Sequence, residues 1–208
     1  MPDSTNQIQL YHAGLARDVL GPGLRLVFWF SGCPLRCPGC IETPHWDTES
    51  GNRFSLVDLI ANCQQELQQV EGVSFSGGEP LYQAAALETL VKRLPAHIDK
   101  LLFTGYRRDE LTPQQEKLFA QMDLCIEGRF EQQQAGSFKW RGSANQVITS
   151  PTGKYPGKQL AEWMEAPSDG ISVHVQEDCM VFYGVPTPDM LSGIRDNLKH
   201  SGVEIRAM

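Results

Sequence analysis

Cys33, Cys37 and Cys40 lie in Ser31-Gly32-Cys33-Pro34-Leu35-Arg36-Cys37-Pro38-Gly39-Cys40, a C-x3-C-x2-C run that offers three thiolates from one short loop with no fourth nearby. A structural zinc site closes its tetrahedron with four protein ligands, and an electron-transfer iron-sulfur cluster ordinarily uses four cysteines. Three soft ligands leave one metal position open to a substrate or cofactor, which favours a catalytic cluster over a structural one. Pro34, Pro38 and Gly39 suit such a loop, since Pro fixes φ and Gly enters turns closed to other residues. The competing arrangement is a partial zinc site completed by a distant ligand such as His45, although zinc sites usually present paired C-x2-C elements.

The second informative segment is Ser76-Gly77-Gly78-Glu79-Pro80. Gly77 and Gly78 would let a ligand approach the backbone closely, and Glu79 adds a carboxylate expected at the rim. Its acceptor-only oxygens suit a ligand ammonium group, and Pro80 stiffens the exit. Alone, this tetrapeptide is an ordinary turn. Behind a strand and a cysteine triplet it becomes a candidate binding loop.

The elements that must position these loops alternate between apolar runs and helix-like stretches, the pattern of repeated βα units around a mainly parallel sheet. Leu24–Phe30 reads as a buried strand that delivers the chain into the cysteine loop. Ser55 can cap a helix over 55–70, with Leu56, Leu59, Ile60, Cys63 and Leu67 at helical spacing. Strands are expected at 73–76, 101–103 and 124–126, and helices at 84–94 and 114–121. Ligands collect at the carboxyl ends of parallel strands, where the cysteines, Gly77-Gly78-Glu79 and Thr104-Gly105-Tyr106 all fall. Residues 150–157 are rich in turn formers and read as a connector. A hairpin around Glu177-Asp178, a helix over 190–198 and an extended stretch at 203–205 follow, and this tail is expected to complete the same sheet.

With 208 residues, 41% hydrophobic and 21% charged, the chain suits one soluble domain, with a core over about 8–150 and an extension over about 151–208. No basic leader or membrane-length apolar run is evident, which places the protein in the cytoplasm. A net charge of -7 argues against a broad nucleic-acid footprint, and the lack of a membrane-length apolar run argues against a membrane partner. Six cysteines could pair as disulfides, but the clustering of three speaks against it, and Cys63, Cys125 and Cys179 read as buried small hydrophobes. His12, His45, His97, His174 and His200 show no metal-ligand spacing.

The pairing of Cys33-x3-Cys37-x2-Cys40 with Gly77-Gly78-Glu79-Pro80 resembles the radical S-adenosylmethionine (SAM) superfamily. The resemblance implies a 4Fe-4S cluster held by the three cysteines, with SAM on the unique iron. It also implies reductive cleavage of SAM to methionine and a 5'-deoxyadenosyl radical that abstracts hydrogen. The Gly77 to Pro80 segment would meet the methionine amino group, and no catalytic residue is implied beyond the cluster and SAM site. Gly21-Pro22-Gly23-Leu24-Arg25, Trp46, Phe103-Thr104-Gly105-Tyr106, Asp123 to Phe130 and Trp140 to Gln146 narrow the similarity to the activating enzymes of anaerobic (class III) ribonucleotide reductase, in family order over roughly 8–148.

That narrower resemblance implies a partial (β/α) barrel, open to a protein loop, with a short α+β extension at the C-terminus. The substrate would be a glycine Cα–H on a partner glycyl-radical enzyme, with a flavodoxin- or ferredoxin-type electron donor. It places the Thr104-Gly105-Tyr106 loop beside SAM, where the Tyr106 ring could instead simply pack; Arg129 could be a solvated surface charge or could meet the SAM carboxylate, as guanidinium forks match carboxylates. The family usually has Asp-Gly at Glu127-Gly128 and often GGDP at Glu79-Pro80, so this chain keeps each carboxylate with one methylene more reach. Trp140, Arg141 and Asn145 read as turn and core residues. Two other functions are carried alongside: a small radical SAM enzyme acting on a peptide or metabolite, and a non-catalytic iron-sulfur or metal-binding module.

Overall fold

The computed structural model describes residues 6–175 and 180–200. Its strands are β1 (Gln7–Arg17), β2 (Leu24–Phe30), β3 (Asn52–Ser55), β4 (Gly72–Gly77), β5 (Asp99–Thr104), β6 (Leu124–Glu127), β7 (Ala135–Phe138), β8 (Arg141–Ser143), β9 (Val147–Thr149), β10 (Ile171–Val175) and β11 (Met180–Gly184). The helices are α1 (Leu56–Asn62), α2 (Gln64–Leu67), α3 (Ala84–Arg93), α4 (Pro113–Phe119), α5 (Gly157–Glu165) and α6 (Pro188–His200). Seven strands form one mixed sheet in the order β3-β1-β2-β4-β5-β6-β9. At its centre β2, β4, β5 and β6 run parallel, and β1, β3 and β9 pair antiparallel on the flanks. The protein is thus a mixed α/β fold.

Alternation along the central strands sorts their side chains onto two faces. Leu26, Phe28 and Phe30 of β2, Val73 and Phe75 of β4, and Leu102 of β5 pack with Leu56, Leu59, Leu87, Leu90 and Phe119 of the crossover helices. Each fully buried Leu or Phe of this layer contributes about 1.5–3 kcal/mol relative to exposure. Val27, Trp29, Leu101, Leu124 and Ile126 face the other way.

The helix expected over 55–70 divides at Cys63, whose φ -96 and ψ 9 end α1 and begin α2 while its side chain stays in the core. Ser55 occupies the cap position without a side-chain capping bond. Among the described residues the tail adds no strand to the main sheet. Among the described residues β10 and β11 pair with each other in a separate two-stranded sheet, because Tyr183 of β11 seats on Trp29 and so lays the ribbon over a face of the large sheet rather than along an edge. The turn expected at Glu177-Asp178, Cys179 and the stretch 203–205 lie outside the described residues.

At the amino ends of the parallel strands Arg25, 1% exposed, meets Asp99 at 2.8 Å and donates to Ser74 Oγ at 2.7 Å and the Val73 carbonyl at 2.8 Å. Lys154 and Tyr155 complete the set on Asp99 at 2.7 and 2.8 Å. This clamp holds β2, β4 and β5 together and leaves their carboxyl ends free for the loops that bear the chemistry.

Candidate functional site

Four loops leave the carboxyl ends of β2, β4, β5 and β6 and meet over one cavity. Its walls include Cys33, Cys37, Cys40, Gly77, Gly78, Glu79, Thr104, Gly105 and Gly128. The cysteine loop turns out of β2 through Gly32, at φ 94, whose amide donates to the His45 carbonyl at 2.8 Å. The Cys33 amide donates to the Trp46 carbonyl at 2.8 Å and the Cys40 amide to the Cys37 carbonyl at 3.1 Å. Arg36 sits in the left-handed region at φ 44, conformational strain of the kind that collects at functional sites.

The two glycines also have a packing role within the protein. A Cβ on Gly77 would stand 2.6 Å from the Phe30 nitrogen, and one on Gly78 would stand 2.5 Å from the Gly32 carbonyl oxygen. Backbone atoms of the neighbouring strand and loop crowd both positions. The Gly78 amide donates to the Phe30 carbonyl at 2.8 Å and the Glu79 amide to the Gly32 carbonyl at 2.9 Å, so this loop and the cysteine loop are stitched directly to each other.

Glu79 is not at the rim. It is 1% exposed, because three donors draw its carboxylate inward: the Leu81 amide at 2.9 Å and Thr104 Oγ1 at 2.9 Å on Oε1, and the Gly105 amide at 2.8 Å on Oε2. Burial pushes the Glu79 carboxyl up to about 7, against the pull of those hydrogen bonds and of Arg129. Two carboxylate oxygens offer about four lone-pair sites, so one on Oε2 remains for a ligand donor. Pro80 is buried at the start of the short turn that Glu79 caps.

Of the other expected residues, Thr104 lines the cavity, while Tyr106 packs its ring against the main core. Arg129 Nη1 is held by both oxygens of Glu110 at 2.6 and 2.8 Å. Trp140, Arg141 and Asn145 make hydrogen bonds within the protein. Trp140 is 3% exposed and donates to the Asp18 carbonyl at 2.6 Å, Arg141 Nη1 donates to the Gln146 carbonyl at 3.0 Å, and Asn145 donates to the Arg129 carbonyl at 2.8 Å. Gln146 Nε2 donates to the Gly128 carbonyl at 2.8 Å, which secures the loop after β6.

Gln83 was not singled out by the sequence. Its side chain accepts from the Gln9 amide at 2.8 Å and donates to the Gln9 and Ser31 carbonyls at 2.9 and 3.0 Å, tying the Gly78-Glu79 turn to β1 and to the residue that opens the cysteine loop. No local pattern announces a glutamine that acts over such sequence distance.

The donor set fits a cubane cluster. Cys33, Cys37 and Cys40 are free and partly exposed, and burial pushes the Cys33 thiol up and the Cys40 thiol up to about 11, so in the cluster-free loop these two favour the neutral thiol. Among the described residues no three His, Cys, Asp or Glu side chains converge on a single ion. In a cubane each cysteine takes a different iron, so the thiols need to surround a volume rather than meet at a point. His45, the alternative zinc ligand, is buried with Nδ1 against Glu42 and its ring 4.1 Å from that of Tyr11. Cys63 and Cys125 are buried and free.

Residues 19–149 match the family described as a 4Fe-4S single cluster domain. The anaerobic ribonucleoside-triphosphate reductase-activating protein of Vibrio cholerae is 38% identical over 148 residues, covering 66% of this chain and 96% of its own. The protein of that name from Haemophilus influenzae is 36% identical over 154 residues, with coverage of 69% and 96%, and that of Enterobacteria phage T4 is 30% identical over 141, with 64% and 88%. A solved structure, QueE from Escherichia coli, aligns over 52% of this chain and 57% of its own, at 18% identity and a TM-score of 0.40. With its cysteine triplet and Gly77-Gly78-Glu79 joined over one cavity, this chain belongs to the 4Fe-4S single cluster domain family and to the anaerobic ribonucleoside-triphosphate reductase-activating proteins.

Proposed function

We propose that this protein is a radical SAM oxidoreductase that generates a glycyl radical on an anaerobic ribonucleotide reductase. The observation that carries the reading is the direct backbone stitching of the cysteine loop to the Gly78-Glu79 loop, which presents three cysteines and a buried carboxyl to the same cavity. Cys33, Cys37 and Cys40 would hold the 4Fe-4S cluster. The backbone of Gly77 and Gly78 and the remaining lone pair of Glu79 would receive the ammonium of SAM, with Pro80 bracing the turn. Thr104 and Tyr106 would shape the loop beside it, and Arg129 would exchange Glu110 for the SAM carboxylate. When bound, the cluster and SAM supply the one-electron chemistry that removes hydrogen from the partner's glycine.

The residues of this chain bind, orient and exclude water. Glu79 also manages a proton: with its carboxyl near 7 it is substantially protonated in the empty site, and an ammonium arriving at Oε2 favours the ionised form. We read the sheet as part of a (β/α) barrel, supported by its parallel centre and by flanking strands β3 and β9 that stand at opposite ends of the strand order. The chain is taken as one radical SAM domain with a C-terminal extension, working in the cytoplasm with a flavodoxin- or ferredoxin-type donor. No helix among the described residues is long and apolar enough to cross a membrane.

The test is electron paramagnetic resonance of anaerobically reconstituted, reduced protein mixed with SAM and the class III reductase, with 5'-deoxyadenosine quantified alongside. A glycyl-radical doublet that is lost with Cys37→Ala is expected. 5'-Deoxyadenosine without the doublet would transfer the chemistry to a smaller substrate.

A further inference from the structure

The match to the cluster family ends at residue 149, and much of the chain that follows lies on the sheet face opposite α1 to α4. Two pieces of it fill that face. In α5, Leu160, Trp163 and Met164 pack against Leu101, Leu124, Ile126, Trp140 and Ile148. From β11, Tyr183 is 5% exposed, with its ring 4.8 Å from that of Trp29 and its hydroxyl 2.7 Å from His12 Nε2. Both pieces are anchored: Arg141 Nη2 donates to the Met164 carbonyl, the Lys139 amide donates to the Ala166 carbonyl at 3.0 Å, and Lys139 pairs with Asp169 in the segment leading to the ribbon.

The filled region adjoins the candidate site. Phe103 and Ile126 line its cavity. Behind the cavity Phe103 packs against both the Trp29–Tyr183 cluster and the Trp140–Ile126 cluster, and the latter also carries the α5 side chains. The part of the cavity wall formed by Phe103 and Ile126 is therefore backed by the extension. Without the extension, Trp29 would lose Tyr183, and Leu101, Leu124 and Ile126 would lose Leu160, Trp163 and Met164.

We propose that α5 and Tyr183 set the depth of the site, so that the partner's glycine-bearing segment enters only as a loop tip beside the cysteines and cannot lie along the sheet. This deepens the reading given under Proposed function and rests on it. Phe103, Tyr183 and Trp163 are positioning residues in this scheme: they restrict where a peptide can sit without touching the cluster.

Gly14 supplies the means of testing it in the full chain. A Cβ there would stand 2.5 Å from Tyr183 Oη, so Gly14→Ala pushes on the plug from β1, and Tyr183→Phe removes the atom it pushes against. Two readouts apply: backbone amide hydrogen exchange over 101–104 in the cluster-free protein, and 5'-deoxyadenosine formed per glycyl radical with the reductase. Gly14→Ala should raise exchange about tenfold and the ratio severalfold with SAM affinity unchanged. Adding Tyr183→Phe should return both to the parent values. Parent-like behaviour of Gly14→Ala in both readouts, or failure of Tyr183→Phe to restore them, overturns the proposal. Should Gly14→Ala not fold, Tyr183→Leu, which keeps an apolar side chain but shrinks the plug, must produce the same two increases or the proposal falls. SAM cleavage by the parent protein tests the underlying reading separately.

Discussion

Glu79 Oε1 accepts a 2.9 Å hydrogen bond from Thr104 Oγ1, which locks the loop after β4 to the loop after β5 through a carboxylate that solvent does not reach. Among the described residues no cation contacts that carboxylate directly; its partners are two amides and a hydroxyl. A buried carboxyl so placed keeps its proton into the neutral range until a positive ligand arrives. The ligand site and the proton inventory of the empty protein are thereby the same feature.

The stability of the cluster-free protein should carry this signature. Glu79 is raised from 4.5 to about 7 on folding, so the folded state binds the proton more tightly, and stability is lost as pH rises between those values and stays low above them. A shift of that size corresponds to about 3 kcal/mol. Denaturant unfolding at pH 5 and pH 8 should show a larger fall for the parent than for Glu79→Ala. Equal falls in the two proteins would contradict the raised carboxyl.

SAM affinity should follow the same group with opposite sign. Pairing with an ammonium requires the ionised form, so binding weakens as pH drops below about 7, roughly tenfold per unit well below the midpoint. Anaerobic titration of the reconstituted protein between pH 5.5 and 8.5 checks it, and a flat profile would separate Glu79 from SAM.

The central β2-β4-β5-β6 array was legible because continuous apolar runs such as Leu24–Phe30 end at glycine-rich turns, and both signals are local. β1 was not, because a register shift between Leu10 and His12 breaks the alternation that would have announced an eleven-residue strand. α5 begins at Gly157 after Pro156 with no side-chain cap, so nothing at its start advertises a helix. The cysteines and Gly77-Gly78-Glu79 could be named from type and spacing. The burial of Glu79 and the reach of Gln83 could not, since both depend on partners that only the folded sheet brings near.

Gly78→Ala should be far more damaging than its one added methyl suggests. The new Cβ would meet the Gly32 carbonyl at 2.5 Å and the His45 carbonyl at 2.9 Å, and backbone cannot swing aside as a side chain can. The stitch between the two loops would open, so cluster absorbance after reconstitution and SAM binding should fall together. Gly157→Ala, with nothing within 4 Å of the added atom, is the control and should retain both.

Glu110→Gln should tighten SAM binding. Arg129 Nη1 is held by Glu110 in the empty protein, and this pair must part if the guanidinium is to meet the SAM carboxylate. The pair is partly exposed, where such interactions contribute about 0.2–1 kcal/mol, so the gain is bounded at about fivefold. Arg129→Ala should weaken binding. Unchanged affinity in both variants would confine the pair to surface structure.

Asp99→Ala tests the opposite end of the sheet. Burial disfavours the Asp99 charge, yet Arg25, Lys154 and Tyr155 together outweigh it and hold the carboxyl below the ordinary aspartate value. That contribution is present above the ordinary value and is lost as pH falls through the depressed one. Removing the carboxylate leaves Arg25 charged and 1% exposed, which costs about 3–5 kcal/mol. Thermal unfolding at pH 7 should show a large drop in Tm, while the fall in stability on acidification becomes shallower than in the parent. Because the cysteine loop hangs from the other ends of the same strands, cluster absorbance at low temperature should persist, and its loss alongside the Tm would mean that the clamp and the site are one cooperative unit.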